Sequence, residues 1–110
     1  MTIEWGGLPF TTPAIFNGNV ANKDSGVYVI MTKPEPQNKP QIYNVLYFGE
    51  TENFSKILDA NHEKIHCWKQ NQISGLYYSL YIMSGSPQEQ RQSIESELIK
   101  IYNTSCNDRS

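Results

Sequence analysis

The sequence predicts an α+β domain in which a small three-stranded antiparallel sheet, in β-β-α-β-α order, is flanked by helices. Three runs rich in β-branched and aromatic residues, at 26–32, 43–48 and 76–83, have the composition of strands. Two other stretches, 53–68 and 87–102, repeat apolar residues at helical spacing. A chain of 110 residues supports one domain with one hydrophobic core.

Residues 1–25 are predicted to form an N-terminal arm packed on the core of the domain, which spans residues 26–110. Gly6, Gly7, Pro9 and Pro13 interrupt any long element in the arm, so we expect a short strand near residues 3–5 and then a loop. The aromatic side chains of the arm are expected to fill the core rather than stack on bases.

The strands differ in their expected environment. The segment 33–41 holds three prolines and is predicted to be the hairpin loop between the first two strands. The run at 76–83 is apolar on both alternating faces, which predicts a central strand covered on both sides and the most buried of the three.

The second strand is expected to end at Gly49, which turns the chain into the first helix. Free N–H groups at such a helix start can hold a phosphate, although the connection is a common one.

The last helix has the clearest predicted start. Ser86 suits the N-cap, Pro87 the first helical position, and Glu89 completes a capping box. Arg91 and Glu95, four residues apart, fall inside its apolar arc. Because an unpaired buried charge is costly, they form either an ion pair at the edge of the core or a site with a carboxylate for a metal and a guanidinium for a phosphate.

Composition narrows the function classes. The chain has 38% hydrophobic and 12% aromatic residues, no run of about eighteen apolar residues, and no signal-peptide pattern at its start, so we expect no membrane association. Two cysteines are too few for the disulfide framework of a small secreted domain, which favours a reducing, cytoplasmic location. A net charge of −2 counts against tight autonomous binding of DNA.

Taken in order, the motifs resemble those of the GIY-YIG nuclease superfamily. Residues 26–28, Gly-Val-Tyr, and 47–49, Tyr-Phe-Gly, are similar to its two signatures, and a Leu-Ile pair at 98–99 follows a glutamate as in the family. The resemblance covers residues 26–107. The supporting positions that it matches are Gly26, Gly49, Thr51, Asn53 and Asn107.

The resemblance implies metal-dependent hydrolysis of DNA phosphodiesters. It makes Tyr28 the general base toward an attacking water, Tyr47 the residue that orients it, and Glu95 the ligand of one Mg²⁺ or Mn²⁺ ion. A histidine near the first helix, matched one residue late by His62, would assist proton handling. Such a site combines a positioned nucleophile, a hard cation and positive charge near the phosphate.

One position departs from the family pattern. The family arginine on the first helix falls on Ile57, and the neighbouring Lys56 lies about a hundred degrees around the helix, on another face. Two readings stay open. Either Arg91 supplies the missing charge from the last helix, or the domain is an inactive module that binds nucleic acid or a protein partner. In both, we expect DNA to be bound only weakly by this chain alone.

A zinc site is a further alternative. His62 and His66 are four residues apart, with Cys67 adjacent and Cys106 distant in sequence. The set lacks the Cys-x-x-Cys spacing typical of zinc sites, so packing is favoured for these residues and for Trp68.

Overall fold

The computed structural model describes residues 2–33, 43–102 and 104–107. The elements found there are antiparallel strands together with helices, which confirms the α+β class. They are β1 (Thr2–Trp5), β2 (Leu8–Thr11), β3 (Ala14–Ile15), β4 (Gly26–Thr32), β5 (Asn44–Thr51), α1 (Phe54–Ile57), α2 (Ile65–Asn71), β6 (Tyr77–Ile82) and α3 (Gln88–Ile101). Most of the predicted hairpin loop at 33–41 lies outside the described residues.

The main sheet is antiparallel, as predicted, but has four strands in the order β3-β6-β4-β5. The prediction of three strands missed β3, whose two residues pair with Tyr77 and Tyr78 of β6. The N-terminal arm is more regular than expected, because β1 and β2 form a separate antiparallel hairpin. Phe10 of this hairpin is fully buried and packs in the core that contains Val29 and Leu98.

Strand β4 is the most buried strand, and the prediction that the 76–83 run would be is wrong. Every residue of β4 is buried, whereas β6 contains buried, half-buried and exposed residues. The reason is position in the sheet. β4 has long neighbours on both sides, while β6 has β4 on one side and only the two residues of β3 on the other.

Two cores lie on opposite faces of the sheet. On one face Tyr28 and Ile30 of β4 pack with Phe54, Leu58 and Trp68, from the α1–α2 region. On the other face Val27, Val29 and Met31 alternate toward Leu98 of α3 and the β1-β2 hairpin. A register shift between Ile30 and Met31 leaves an extra residue in β5, and both Leu46 and Tyr47 pack against the core that contains Tyr28.

The first predicted helix, 53–68, is two helices separated by a link. α1 ends at Ile57 and α2 begins at Ile65. Within the link, the Asp59 carboxylate accepts the N–H of Asn61 at 2.8 Å, and Asp59 forms a β-bridge with Asn19. Such side-chain bonds to the local backbone compete with helix formation, which explains the break. The break also leaves His62 in the link, buried against the core.

Helix α3 begins at Gln88, with Pro87 as N-cap and no side-chain cap bond. The predicted capping box of Ser86 and Glu89 is therefore wrong. The Ser86 carbonyl instead accepts a hydrogen bond from the Arg91 guanidinium.

Cys67 of α2 and Cys106 form a disulfide, with Cα atoms 5.8 Å apart. This pairing rules out the zinc alternative, which needed both thiolates. It also removes the cysteine argument for a reducing location. Within the described residues, no helix is both long and apolar enough to cross a membrane.

Candidate active site

Gly49 lies inside β5 rather than at a turn, and its missing side chain makes room for Tyr28. The two residues stand opposite each other on paired strands. A Cβ atom at residue 49 would collide with Cζ and Oη of Tyr28. Gly26 is fixed in the same way, since a Cβ atom there would collide with the carbonyl oxygen of Tyr81. Both signature glycines are thus required by close packing.

Tyr28 is hydrogen-bonded to His62, with 2.9 Å between the phenol oxygen and Nε2. The other ring nitrogen, Nδ1, accepts the backbone N–H of Lys64 at 2.9 Å. Because Nδ1 is an acceptor, the proton of the neutral imidazole belongs on Nε2, so that His62 donates to the Tyr28 oxygen. Burial lowers the pKa of His62, which favours this neutral form.

Tyr47 packs beside Tyr28, with ring centroids 6.0 Å apart. Burial is the main cause that raises the pKa of both phenols. Two donors follow one another toward the Tyr28 oxygen, first the Lys64 N–H and then the His62 N–H.

A surface groove opens beside Tyr47; we call it the Tyr47 groove. It is lined by Tyr47, Glu63, Lys64, Glu95, Ile99 and Asn107. Tyr28 is only 2% exposed and lies behind Tyr47, so Tyr47 is the phenol that faces the groove. The carboxylates of Glu95 and Glu63 are close enough to raise the pKa of both phenols.

Glu95 reaches the groove from α3 and is half-buried. Burial, with a smaller contribution from the charge of Glu50, raises the pKa of Glu95 to about 7. Among the described residues the Glu95 carboxylate has neither a hydrogen-bond donor nor a cation as partner. A half-buried carboxylate without a partner is costly unless a cation is bound there.

Arg91 points inward, as predicted, but its partner is Glu50 of β5 rather than Glu95. Arg91 Nε lies 2.9 Å from Glu50 Oε1, and the two side chains are 7% and 13% exposed. With the Ser86 carbonyl as a second acceptor, the guanidinium is held in a separate cleft. The prediction that Arg91 serves as the catalytic cation beside Glu95 is therefore not supported by its position.

Thr51 and Asn53 organise the turn into α1. The Asn53 carboxamide oxygen caps α1 by accepting the N–H of Ser55 at 3.0 Å, and the Thr51 hydroxyl accepts the N–H of Asn53 at 3.1 Å. The N–H of Phe54 is bonded to the Asp24 carbonyl. Since these N–H groups are occupied, this helix start does not offer them to a phosphate.

Asn107 borders the groove and binds the backbone of β5. Its carboxamide accepts the N–H of Phe48 and donates to the carbonyl of the same residue, both at 2.9 Å. One residue earlier, the N–H of Cys106 donates to the Leu46 carbonyl at 2.8 Å. The role of Asn107 is thus to hold the C-terminal segment against β5.

Sequence patterns located Tyr28, Tyr47, His62, Glu95 and Asn107, which the fold brings to one region. They missed Glu63 and Lys64, because the whole stretch 53–68 was taken as helix. Neither Ile57 nor Lys56 is among the described residues that line the Tyr47 groove. The only signal for Glu63 and Lys64 was their position directly after His62.

The donor set suits one hard divalent cation. Glu95 offers carboxylate oxygens, the ligands that Mg²⁺ and Mn²⁺ prefer. Within the described ranges no three His, Cys, Asp or Glu side chains gather closely enough to enclose a metal ion. An ion at Glu95 would therefore keep most of its water ligands, as Mg²⁺ commonly does.

Comparison of the chain with protein-family models, with curated proteins and with solved structures found no match. The fold and the groove therefore carry the functional argument.

Proposed function

We propose that this chain is a metal-dependent nuclease of the GIY-YIG type, which hydrolyses DNA phosphodiesters in the Tyr47 groove. One observation carries the proposal: a phenol that packs on the hydrogen-bonded Tyr28–His62 pair shares a groove with a half-buried carboxylate that has no partner among the described residues. The order β4-β5-α1-α2-β6-α3 is compatible with the β-β-α-β-α order of that superfamily, with two short helices in place of its first helix.

Glu95 would hold a Mg²⁺ or Mn²⁺ ion, which supplies Lewis-acid stabilisation of the charge that develops on the phosphate. Positive charge near Glu95 favours its ionised form and offsets the effect of burial on its pKa. The unpaired charge of Glu95 lowers the stability of the fold, and the same carboxylate becomes a metal ligand when a cation is present.

Tyr47 is the residue that meets the attacking water. Tyr47 faces the groove and packs on Tyr28, whose oxygen accepts the His62 N–H. Burial and nearby carboxylates raise the pKa of Tyr47, and positive charge held at Glu95 would offset part of that effect. In the reaction Tyr47 first gives its proton to solvent, and the phenolate then takes a proton from water as the water oxygen bonds to phosphorus. The P–O bond to the leaving sugar oxygen breaks, and solvent protonates that oxygen. Tyr28 and His62 act through Tyr47, which reverses the order of the two tyrosines implied by the resemblance.

The test is cleavage of supercoiled plasmid and of single-stranded DNA with Mg²⁺ or Mn²⁺. We expect cleavage by the unaltered protein and a loss of about a hundredfold in Glu95→Gln, the scale seen when one group that stabilises the transition state is removed. Glu97→Gln, on the exposed side of α3, is the matched control and should retain activity. Cleavage that survives in Glu95→Gln, or no cleavage at all, would refute the proposal.

A second function is a module that binds nucleic acid or a protein partner without cutting. The observation in its favour is Ile57, which is 37% exposed at the position of the family arginine and cannot stabilise an anion. This function predicts DNA binding with no metal-dependent cleavage in the same assay.

A further inference from the structure

The Tyr47 groove contains a cation that the family pattern does not assign. Lys64 lines it together with Tyr47 and Glu95, and among the described residues around the groove it is the only one with a positive charge. We propose that Lys64 supplies the positive charge to the scissile phosphate that the superfamily takes from the arginine replaced here by Ile57. This inference rests on the proposed nuclease function.

The backbone of Lys64 is fixed by the site itself. Its N–H donates to His62 Nδ1 at 2.9 Å, and His62 donates in turn to Tyr28. Lys64 is also the N-cap residue of α2 and is half-buried, so its side chain starts from a defined place at the rim of the groove. The same hydrogen bonds that hold Tyr28 thus position the backbone of Lys64.

The charge of Lys64 reaches the centre of the site. It contributes to lowering the pKa of His62, after the larger effect of burial and against the opposing charges of Glu63 and Asp59. This is the smallest of the four contributions, and it places the Lys64 charge within electrostatic reach of His62.

The other basic candidates are excluded by their positions. Arg91 is bound to Glu50 and the Ser86 carbonyl in a different cleft. Lys56 is exposed and does not line the groove in the described part of the chain. A lysine acts on a phosphate as a point charge, whereas arginine offers a two-pronged donor, so the replacement keeps the electrostatic effect and loses the bidentate contact.

Two carboxylates in the groove set a condition on binding. Glu63 and Glu95 repel a phosphate, and Lys64 alone does not balance them. We therefore expect the phosphate to bind only when a divalent cation is present, with Lys64 and that cation acting together.

The experiment compares Lys64→Met, Lys64→Arg and a matched control, Lys69→Met. Lys69 is an exposed lysine of α2 that lines a different cavity. Cleavage with Mg²⁺ and binding of a fluorescent single-stranded oligonucleotide with Ca²⁺ are measured for each. We expect Lys64→Met to lose about a hundredfold in cleavage, the usual effect of removing one charge donor, and Lys64→Arg and Lys69→Met to stay within about tenfold of the unaltered protein.

A third readout follows the structure directly. Because the Lys64 charge helps to lower the pKa of His62, the His62 pKa measured by NMR titration should rise in Lys64→Met and stay unchanged in Lys69→Met. A residue that only stabilised the fold would not produce this pattern.

The outcomes separate the two proposals. Normal cleavage in Lys64→Met overturns the role of Lys64 and leaves the nuclease function standing. Absent cleavage in the unaltered protein overturns the nuclease function, and the role of Lys64 is then decided by oligonucleotide binding. If the unaltered protein binds the oligonucleotide and Lys64→Met does not, Lys64 is supported as the phosphate ligand. If the unaltered protein does not bind, or if Lys64→Met binds equally well, the role of Lys64 is overturned.

Discussion

The backbone of Gly49 and the phenol ring of Tyr28 occupy adjoining space that a methyl group at residue 49 would fill. Tyr28 can hold its hydroxyl against His62 only because the opposite residue on β5 has no side chain. The glycine of the second signature thus serves the tyrosine of the first.

Gly49→Ala should displace Tyr28 and lower the free energy of unfolding by about 1–3 kcal/mol, the usual cost of overpacking a core. Urea denaturation measures the loss, and the His62 ring resonances should shift as the Tyr28 contact lengthens. Tyr28→Leu is the background for a double-mutant cycle, since it removes the atoms that collide. An equal cost of the alanine in both backgrounds would show that Tyr28 is not the obstacle.

Arg91→Met should destabilise the fold by about 3 kcal/mol, because it leaves the Glu50 carboxylate largely buried without its cation. Glu50→Gln combined with Arg91→Met should cost less than the sum of the single changes. Chemical denaturation of the four proteins gives the coupling free energy. In conditions where the variant stays folded, DNA cleavage should persist. A loss of cleavage in the folded Arg91→Met variant would show that Arg91 takes part in the active site.

Glu95 should make stability depend on pH. Its pKa is raised from 4.5 to about 7 in the folded protein, so between these values the native state binds a proton that the unfolded state does not. Stability from this group is therefore full below pH 4.5 and is lost as the pH rises through 7. Relative to Glu95→Gln, the unaltered protein should lose about 1 kcal/mol over this range, since partial exposure weakens the effect.

His62 should act in the opposite direction. Its pKa is lowered in the folded state, so stability is lost as the pH falls below about 6.5, where the unfolded histidine gains a proton first.

Comparing Glu95→Gln and Glu97→Gln at each pH isolates the Glu95 contribution, because His62 is common to both. Parallel pH profiles for the two variants would contradict the raised pKa of Glu95.

Reduction of the disulfide should lower stability by about 4 kcal/mol, the chain-entropy value for two cysteines 39 residues apart. Urea denaturation with and without dithiothreitol measures this change, and a thiol assay confirms reduction. Cys67→Ala combined with Cys106→Ala is the control and should not respond to the reductant. An unchanged denaturation midpoint with both thiols free would contradict the prediction.

The sequence predicted the parts of the fold that depend on local composition. β4 matches its predicted bounds, Gly26–Thr32, because its β-branched and aromatic residues favour a strand. The break at Asp59 escaped prediction, since the apolar spacing of Phe54, Ile57 and Leu58 continues a helical pattern that side-chain bonds interrupt.

The misses in the site have a common cause, which is dependence on contacts distant in sequence. Helical periodicity placed Arg91 on the inner face of α3, but only the packing of α3 against β5 gives it Glu50 as partner. The disulfide joins cysteines that no local pattern relates. The bulge in β5 brings Leu46 to the same face as Tyr47, and bulges leave no mark in apolar alternation here.

The C-terminal segment has a consequence for self-association. β5 is the outer strand of its sheet, and exposed strand edges are templates on which a second chain can add and aggregate. Here the carboxamide of Asn107 imitates one residue of a neighbouring strand by occupying the N–H and C=O of Phe48, while Cys106 occupies the carbonyl of Leu46. Since the disulfide fastens this cover to α2, an intact Cys67–Cys106 bond keeps the edge closed to intermolecular β-pairing.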